Sequence, residues 1–248
     1  MSDIAIIGGT GLMELEGLSI IKEFTQPTPW GDPSSKIVTG EIFGEEVSFL
    51  ARHGNPHRIP PHKINYRANI AALAAIGVRK IIAVNAVGGI RADMVPAHLC
   101  IPDQIIDYTW GRESTFFSDN LEHVTHIDFT CPFSQSLREC LIGAANKAGI
   151  DASDNGVYAC TQGPRLETAA EVVRLEKDGC DIVGMTGMPE AALAAEKGID
   201  YASLALVVNW AAGKTGAIIA MEEIGQAIDA GMSKVRATIE QALHLMQH

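Results

Sequence analysis

The chain places its chemically useful side chains directly behind apolar runs. Thr10 closes GGTG after DIAII, Arg52 and His53 follow EVSFLA, and NAVGG follows KIIAV. Glu167 lies in QGPRLET, Thr186 in GMTGMPE, and LVVNWAAG turns from Val208 to the amide of Asn209. An arginine fork, a histidine, a threonine hydroxyl and the backbone N–H groups of a glycine-rich turn are the groups that hold an anion. Asn209 is different. It carries both a donor and an acceptor at the mouth of a buried strand, a position that demands a partner.

Two familiar patterns fail. GGTGLMELEG begins like a dinucleotide fingerprint, but Glu14 stands where the third glycine is required. A phosphate loop ending in Gly213-Lys214-Thr215 needs glycine at 208, which is Val208. The turn at 8–11 remains either an anion cradle or a plain tight turn. The segment RHGNPHRIPPHK gathers His53, His57 and His62 among Arg52, Arg58 and Lys63. No carboxylate stands among these histidines and the prolines exclude a helical pair, which argues against metal. An anion site and a solvated basic loop both remain open. Glu167 precedes a helix cap, Thr168, with Glu171 three residues later, so it is either a helix-dipole carboxylate or a ligand acceptor. Met185 fits a buried core as well as a ligand wall.

The elements that must position these groups alternate. Strands are expected at 3–7, 36–42, 46–51, 80–86, 100–107, 156–161, 180–185 and 200–209. Helices are expected around 66–76, 134–148, 168–178, 189–197 and 222–246, most of them closed by glycine. The runs at 80–86 and 202–209 are continuously apolar, as central strands covered on both faces should be. Such alternation predicts an α/β fold with a largely parallel or mixed sheet, and the reactive residues fall where strands end. No linker or repeat interrupts it, so residues 1–248 are expected to form one domain.

A composition of 47% hydrophobic and 20% charged residues over 248 positions suits a globular protein with a sizeable core. The formal net charge of −11 argues against nucleic-acid binding. No apolar run reaches the ~18 residues of a membrane span. The start of the sequence lacks a signal-peptide pattern, and a cytoplasmic protein is expected. Five cysteines, an odd number without close pairs, support neither a zinc ribbon nor a disulfide framework; Cys100, Cys160 and Cys180 read as small core residues.

GGTGL, RHG, HKINYRANI, NAVGG, DQIID, GPRLET, MTGMPEAALAAEKGI and YASLALVVNW occur in the order found in trimeric purine nucleoside phosphorylases. The chain most resembles their methylthioadenosine phosphorylase branch, over nearly its whole length. The resemblance implies a mixed central sheet with a barrel-like region flanked by helices, a homotrimer, and attack of phosphate on C1′ of a purine nucleoside. It implies a phosphate site of Thr10, Arg52, His53, the Ala86 backbone N–H and Thr186, with Arg52 and His53 offsetting the phosphate charge. Met185 falls at the ribose, Leu166 where the family stacks a phenylalanine on the base, and His126 where a side chain reaches the neighbouring subunit's sugar site. Inorganic phosphate is the co-substrate, and neither metal nor cofactor is implied.

One departure bears on the base. Adenosine-type members carry Asp-Tyr-Asp where this chain has Asn209-Trp210-Ala211, whereas the 6-oxopurine branch has Asn first and a Glu matching Glu167. Hypoxanthine offers N1–H as donor and O6 as acceptor; adenine offers the reverse. Glu167 accepts from N1–H but would face the adenine N1 lone pair, and Asn209 has a donor for O6. At the 5′ end, AIIAMEEIGQAI supplies Met221 and Ile224 and no histidine, which suits a methylthio group and equally suits core packing. The resemblance therefore implies phosphorolysis of 5′-methylthioinosine to hypoxanthine and 5-methylthioribose 1-phosphate. Inosine/guanosine or methylthioadenosine are the alternative substrates.

Overall fold

The computed structural model describes residues 2–12, 15–119 and 121–246; Glu14, which breaks the dinucleotide pattern, lies outside them. The strands are β1 (Ile4–Gly8), β2 (Ser19–Phe24), β3 (Ile37–Ile42), β4 (Glu45–Ala51), β5 (Lys80–Gly89), β6 (Leu99–Cys100), β7 (Gln104–Asp107), β8 (Ala152–Ser153), β9 (Val157–Cys160), β10 (Ile182–Gly184) and β11 (Asp200–Trp210). The helices are α1 (Tyr66–Ala75), α2 (Gln135–Lys147), α3 (Ala169–Lys177), α4 (Gly187–Glu196) and α5 (Met221–Leu245). All strands belong to one mixed sheet. The expected helices are all present, and four of them end at glycines with φ of +64° to +94°, a conformation that costs glycine least.

β4, β1, β5 and β11 lie side by side and parallel. Alternate residues of these strands serve opposite faces. Ile7, Ile81 and Ala83 pack with Ile70 and Leu73 of α1 and Leu193 of α4. Ile6, Ile82 and Val84 pack with Leu141 of α2 and Val235 and Ile239 of α5. Both faces are thus covered, which is why the central strands read as unbroken apolar runs. Each fully buried isoleucine or leucine contributes roughly 1.5–3 kcal/mol.

The predicted strand at 100–107 is two strands, because Pro102 has no N–H for a ladder. β6 pairs β11 and β8, and β7 pairs β9. β2 was not foreseen: it is an exposed edge strand, lacking the buried face that gives a strand its apolar signature.

β5 sets the position of the site. Along one edge its residues 80–83 pair in parallel with β1, while Gly88 and Gly89 pair antiparallel with β10. Residues 84–87 lie between these two partners. This change of partner and direction opens a cleft beside the carboxyl ends of β1, β4, β5 and β11, the general location of ligands in open α/β sheets.

Candidate active site

The cleft has a volume of about 200 Å³ and is walled by Thr10, Arg52, His53, Ala86, Thr186 and Asn209, together with Met185, Leu166, Glu167, Met221 and Ile224. Six strand ends and the start of α5 bring together residues as far apart as 10 and 224. Two expected residues stand elsewhere. Ala211 is 3% exposed and packs in a small core cluster with Ile90, Val183 and Val172. His126 lies on an exposed segment and does not line the cleft of its own chain.

Arg52 follows β4, whose pairing is extended by its N–H donating to Gly8 O at 3.0 Å. Its side chain is completely buried. Nε and Nη2 donate to the two carboxylate oxygens of Glu190 at 2.7 and 2.8 Å, and Nη1 donates to Val84 O at 3.0 Å. Tyr201 Oη donates to the same carboxylate at 2.9 Å. Burial opposes the arginine's charge, but Glu190 outweighs it and raises the pKa. Gly9 permits this approach, since a Cβ there would lie 2.9 Å from Arg52 Nη1 and 2.6 Å from Val84 O. Arg52 uses Val84 O on the unpaired edge of β5. Two-residue alternation directs the main chain of Ala86 to that same edge, where it lines the cleft.

His53 differs from the expected second cation. Its Nδ1 lies 2.8 Å from Ile59 O. A carbonyl only accepts, so Nδ1 carries the proton, and a neutral ring then presents a lone pair at Nε2. Burial lowers the His53 pKa to about 4, assisted by the charge of Arg52 and by His57. With Arg52 matched by Glu190 and His53 neutral, the cleft offers polar groups rather than a surplus of positive charge. The histidine-rich loop separates into two parts: Arg52 and His53 turn inward, while His57, Arg58 and Lys63 are exposed. Among the described residues no group of three or more His, Cys, Asp or Glu gathers to hold a metal.

Thr186 is positioned by a chain of hydrogen bonds. Ser203 Oγ donates to Asn85 Oδ1 at 2.8 Å, and Asn85 Nδ2 donates to Thr186 Oγ1 at 2.9 Å. All three side chains are buried. Because Thr186 Oγ1 accepts from Asn85 and caps no helix N–H, its own O–H is left to donate.

Asn209 reaches the cleft through a bulge. The β11–β5 register shifts between Val207 and Asn209, which sets Asn209 opposite Gly88. A Cβ at Gly88 would press first on Val183 Cγ1, at 3.2 Å, with Asn209 Nδ2 at 3.4 Å. One N–H of that amide donates to Trp210 O at 2.6 Å, leaving the other N–H and Oδ1 for a ligand. Glu167 stands between this cleft and a neighbouring one of about 420 Å³. Thr161 Oγ1 donates to Glu167 Oε1 at 2.7 Å, so the second oxygen is the available acceptor. α3 begins with a complete capping box between Thr168 and Glu171, and Glu167 is not part of it.

Sequence reasoning missed Glu190, Asn85, Ser203 and Thr161. Glu190 carried the clearest signal, a carboxylate inside the apolar stretch MPEAALAA. Asn85 sits in NAVGG, a motif noticed only for its alanine.

The family model described as Phosphorylase superfamily matches residues 3–244. A probable S-methyl-5'-thioinosine phosphorylase of Pseudomonas syringae pv. tomato is 60% identical over 98% of this chain and 99% of its own length. The 6-oxopurine nucleoside phosphorylase of Pyrococcus furiosus is 46% identical over 90% of this chain and 85% of its own. The fold is similar to that of methylthioadenosine phosphorylase from Schistosoma mansoni in complex with adenine, with a TM-score of 0.94 and 32% identity over 98% and 91% of the two chains. The matching family model over nearly all of the chain, and relatives this similar, establish that the chain belongs to the phosphorylase superfamily.

Proposed function

We propose that the enzyme cleaves 5′-methylthioinosine with phosphate, giving hypoxanthine and 5-methylthioribose 1-phosphate. The observation that carries this reading is the pairing of Asn209 with Glu167 in the cleft that also holds Thr10, Arg52, His53 and Thr186. Relatives named for this activity and for 6-oxopurine nucleosides support it.

In the proposed reaction a phosphate oxygen bonds to C1′ as the C1′–N9 bond breaks, and the bonding pair leaves with the purine. The Thr186 hydroxyl, the remaining Arg52 N–H groups, Thr10 and the Ala86 N–H hold phosphate. His53 Nε2 accepts a hydrogen bond from hydrogen phosphate, and the proton that phosphate gives up on bonding to C1′ passes through solvent to the departing purine. The free Asn209 N–H stabilises the charge that develops on O6, and Glu167 accepts from N1–H. Catalysis is then positioning plus electrostatics, with no covalent intermediate and no cofactor.

Met221 and Ile224 supply an apolar wall to the cleft, against which the methylthio group is proposed to lie and which offers a 5′-hydroxyl no hydrogen-bond partner. Assembly as a homotrimer, with His126 approaching a neighbouring sugar site, accords with the exposed Val124 and Ile127 beside it in sequence. No described helix is long and apolar enough to cross a membrane, and a cytoplasmic setting fits the reading.

The test is phosphate-dependent release of free base from methylthioinosine, inosine and guanosine. Methylthioinosine should have the highest kcat/KM. Equal or better use of inosine would make the enzyme a general 6-oxopurine nucleoside phosphorylase, and base release independent of phosphate would refute phosphorolysis.

A further inference from the structure

Arg112 follows β7 on an irregular segment and does not line the cleft. It is half-buried, and among the described residues it forms no ion pair. Instead its guanidinium faces oxygens from three separate segments. Nη1 donates to Met185 O at 2.9 Å, Met188 O at 2.6 Å and Tyr66 Oη at 3.2 Å. Nη2 donates to Gln162 O at 2.9 Å and Thr161 O at 3.3 Å, and Nε to Gln162 Oε1 at 3.2 Å. Tyr66 Oη in turn donates to Pro61 O, and Pro61 lines the cleft.

These oxygens belong to the segments that carry the site. Thr161 donates to Glu167, the proposed base acceptor. Met185 and Thr186 form the turn proposed to hold ribose and phosphate. Carbonyls directed at Arg112 are directed away from the cleft, and one rigid planar group fixes both turns at once. A lysine has three donors on one atom and cannot span this set.

We propose that Arg112 is a positioning residue that locks the base-reading turn (161–167) to the ribose-phosphate turn (185–188), so that both substrates meet in register. This rests on the proposed roles of Glu167 and Thr186. Capping of carbonyls alone does not make such a role. Arg138 of α2 donates to Pro102 O and Ile101 O, yet those segments carry no part of the site.

The test compares Arg112→Gln, Arg112→Ala, Arg112→Lys and Arg138→Gln in saturation kinetics with phosphate and nucleoside varied in turn. Thermal unfolding monitors the fold. Misplacement of reacting groups by an ångström costs on the order of 100-fold. Arg112→Gln should therefore lose about that factor in kcat/KM for both substrates in parallel, and Arg112→Ala, which vacates the guanidinium's space, should lose at least as much and be partly restored by added methylguanidinium. Arg138→Gln should lower Tm with unchanged kcat/KM per folded protein. If Arg112→Gln does not fold, Arg112→Lys carries the test, since it keeps the charge and lacks the fork. A folded Arg112 variant with both kcat/KM values near wild type, or with loss confined to one substrate, overturns the proposal. The comparison uses whichever nucleoside the wild-type enzyme cleaves, so an error in the assigned substrate is seen separately in the wild type.

Discussion

Glutamine in place of Glu190 leaves the volume almost unchanged but removes the carboxylate that matches Arg52. Both side chains of that pair are 0% exposed. Of the Arg52 Nε and Nη2 donors, which meet carboxylate oxygens at 2.7 and 2.8 Å, one would keep the amide oxygen as acceptor and the other would face the new N–H₂ group. Leaving one partner of a buried pair unmatched costs about 3–5 kcal/mol. At roughly 2–4 °C per kcal/mol for a chain of this size, Tm should fall by about 6–20 °C. The guanidinium would then bring an uncompensated charge to the cleft wall. Phosphate, which binds only the folded chain, should accordingly raise the Tm of Glu190→Gln more than that of the wild type. Thermal unfolding at matched protein concentration and ionic strength, with and without phosphate, measures both effects. Equal Tm values without phosphate, or equal phosphate-induced gains, would refute the claim that Glu190 neutralises a phosphate-facing arginine.

Two further predictions concern protonation and the base site. The folded pKa of His53, about 4, lies below the ordinary 6.5, so the unfolded chain takes up a proton first as pH falls. The resulting stability is full above 6.5 and is lost as pH falls through 4, by about 3 kcal/mol. Denaturant unfolding of wild type and His53→Gln in phosphate-free buffer should show that this loss is confined to the wild type, and parallel pH profiles would contradict it. Asn209→Asp should fold normally and lose 6-oxopurine activity. Adding Ala211→Asp should destabilise the protein by about 3 kcal/mol or more, because position 211 lies in the core and a carboxylate there has no partner. Unfolding midpoints decide this, and an equally stable double variant would show that position 211 opens to the cleft.

The periodic parts of this fold were legible because burial imposes period. β5 and β11 are apolar throughout since helices cover both faces, and α3 announces itself with its capping box. β2 was illegible because an exposed edge strand has no such constraint. At the site, the side chains that line the cleft stood out as polar residues after apolar runs. Their supports did not. Asn85 and Ser203 serve Thr186 across the sheet, and Arg112 serves turns 49 or more positions away. Such partnerships depend on tertiary contact, which no local spacing encodes. The charge state of His53 was likewise hidden, being set by burial and by Ile59 O.

The central claim is that Asn209 and Glu167 read a 6-oxopurine. It is tested most directly by the ratio of kcat/KM for 5′-methylthioinosine to that for 5′-methylthioadenosine, measured with phosphate on the wild-type enzyme. Polar pairing that a bound base closes over discriminates by about 10⁴ or more, and a ratio of that order is predicted. A ratio near one would contradict the account, since Glu167 facing an adenine N1 lone pair could not then be a penalty.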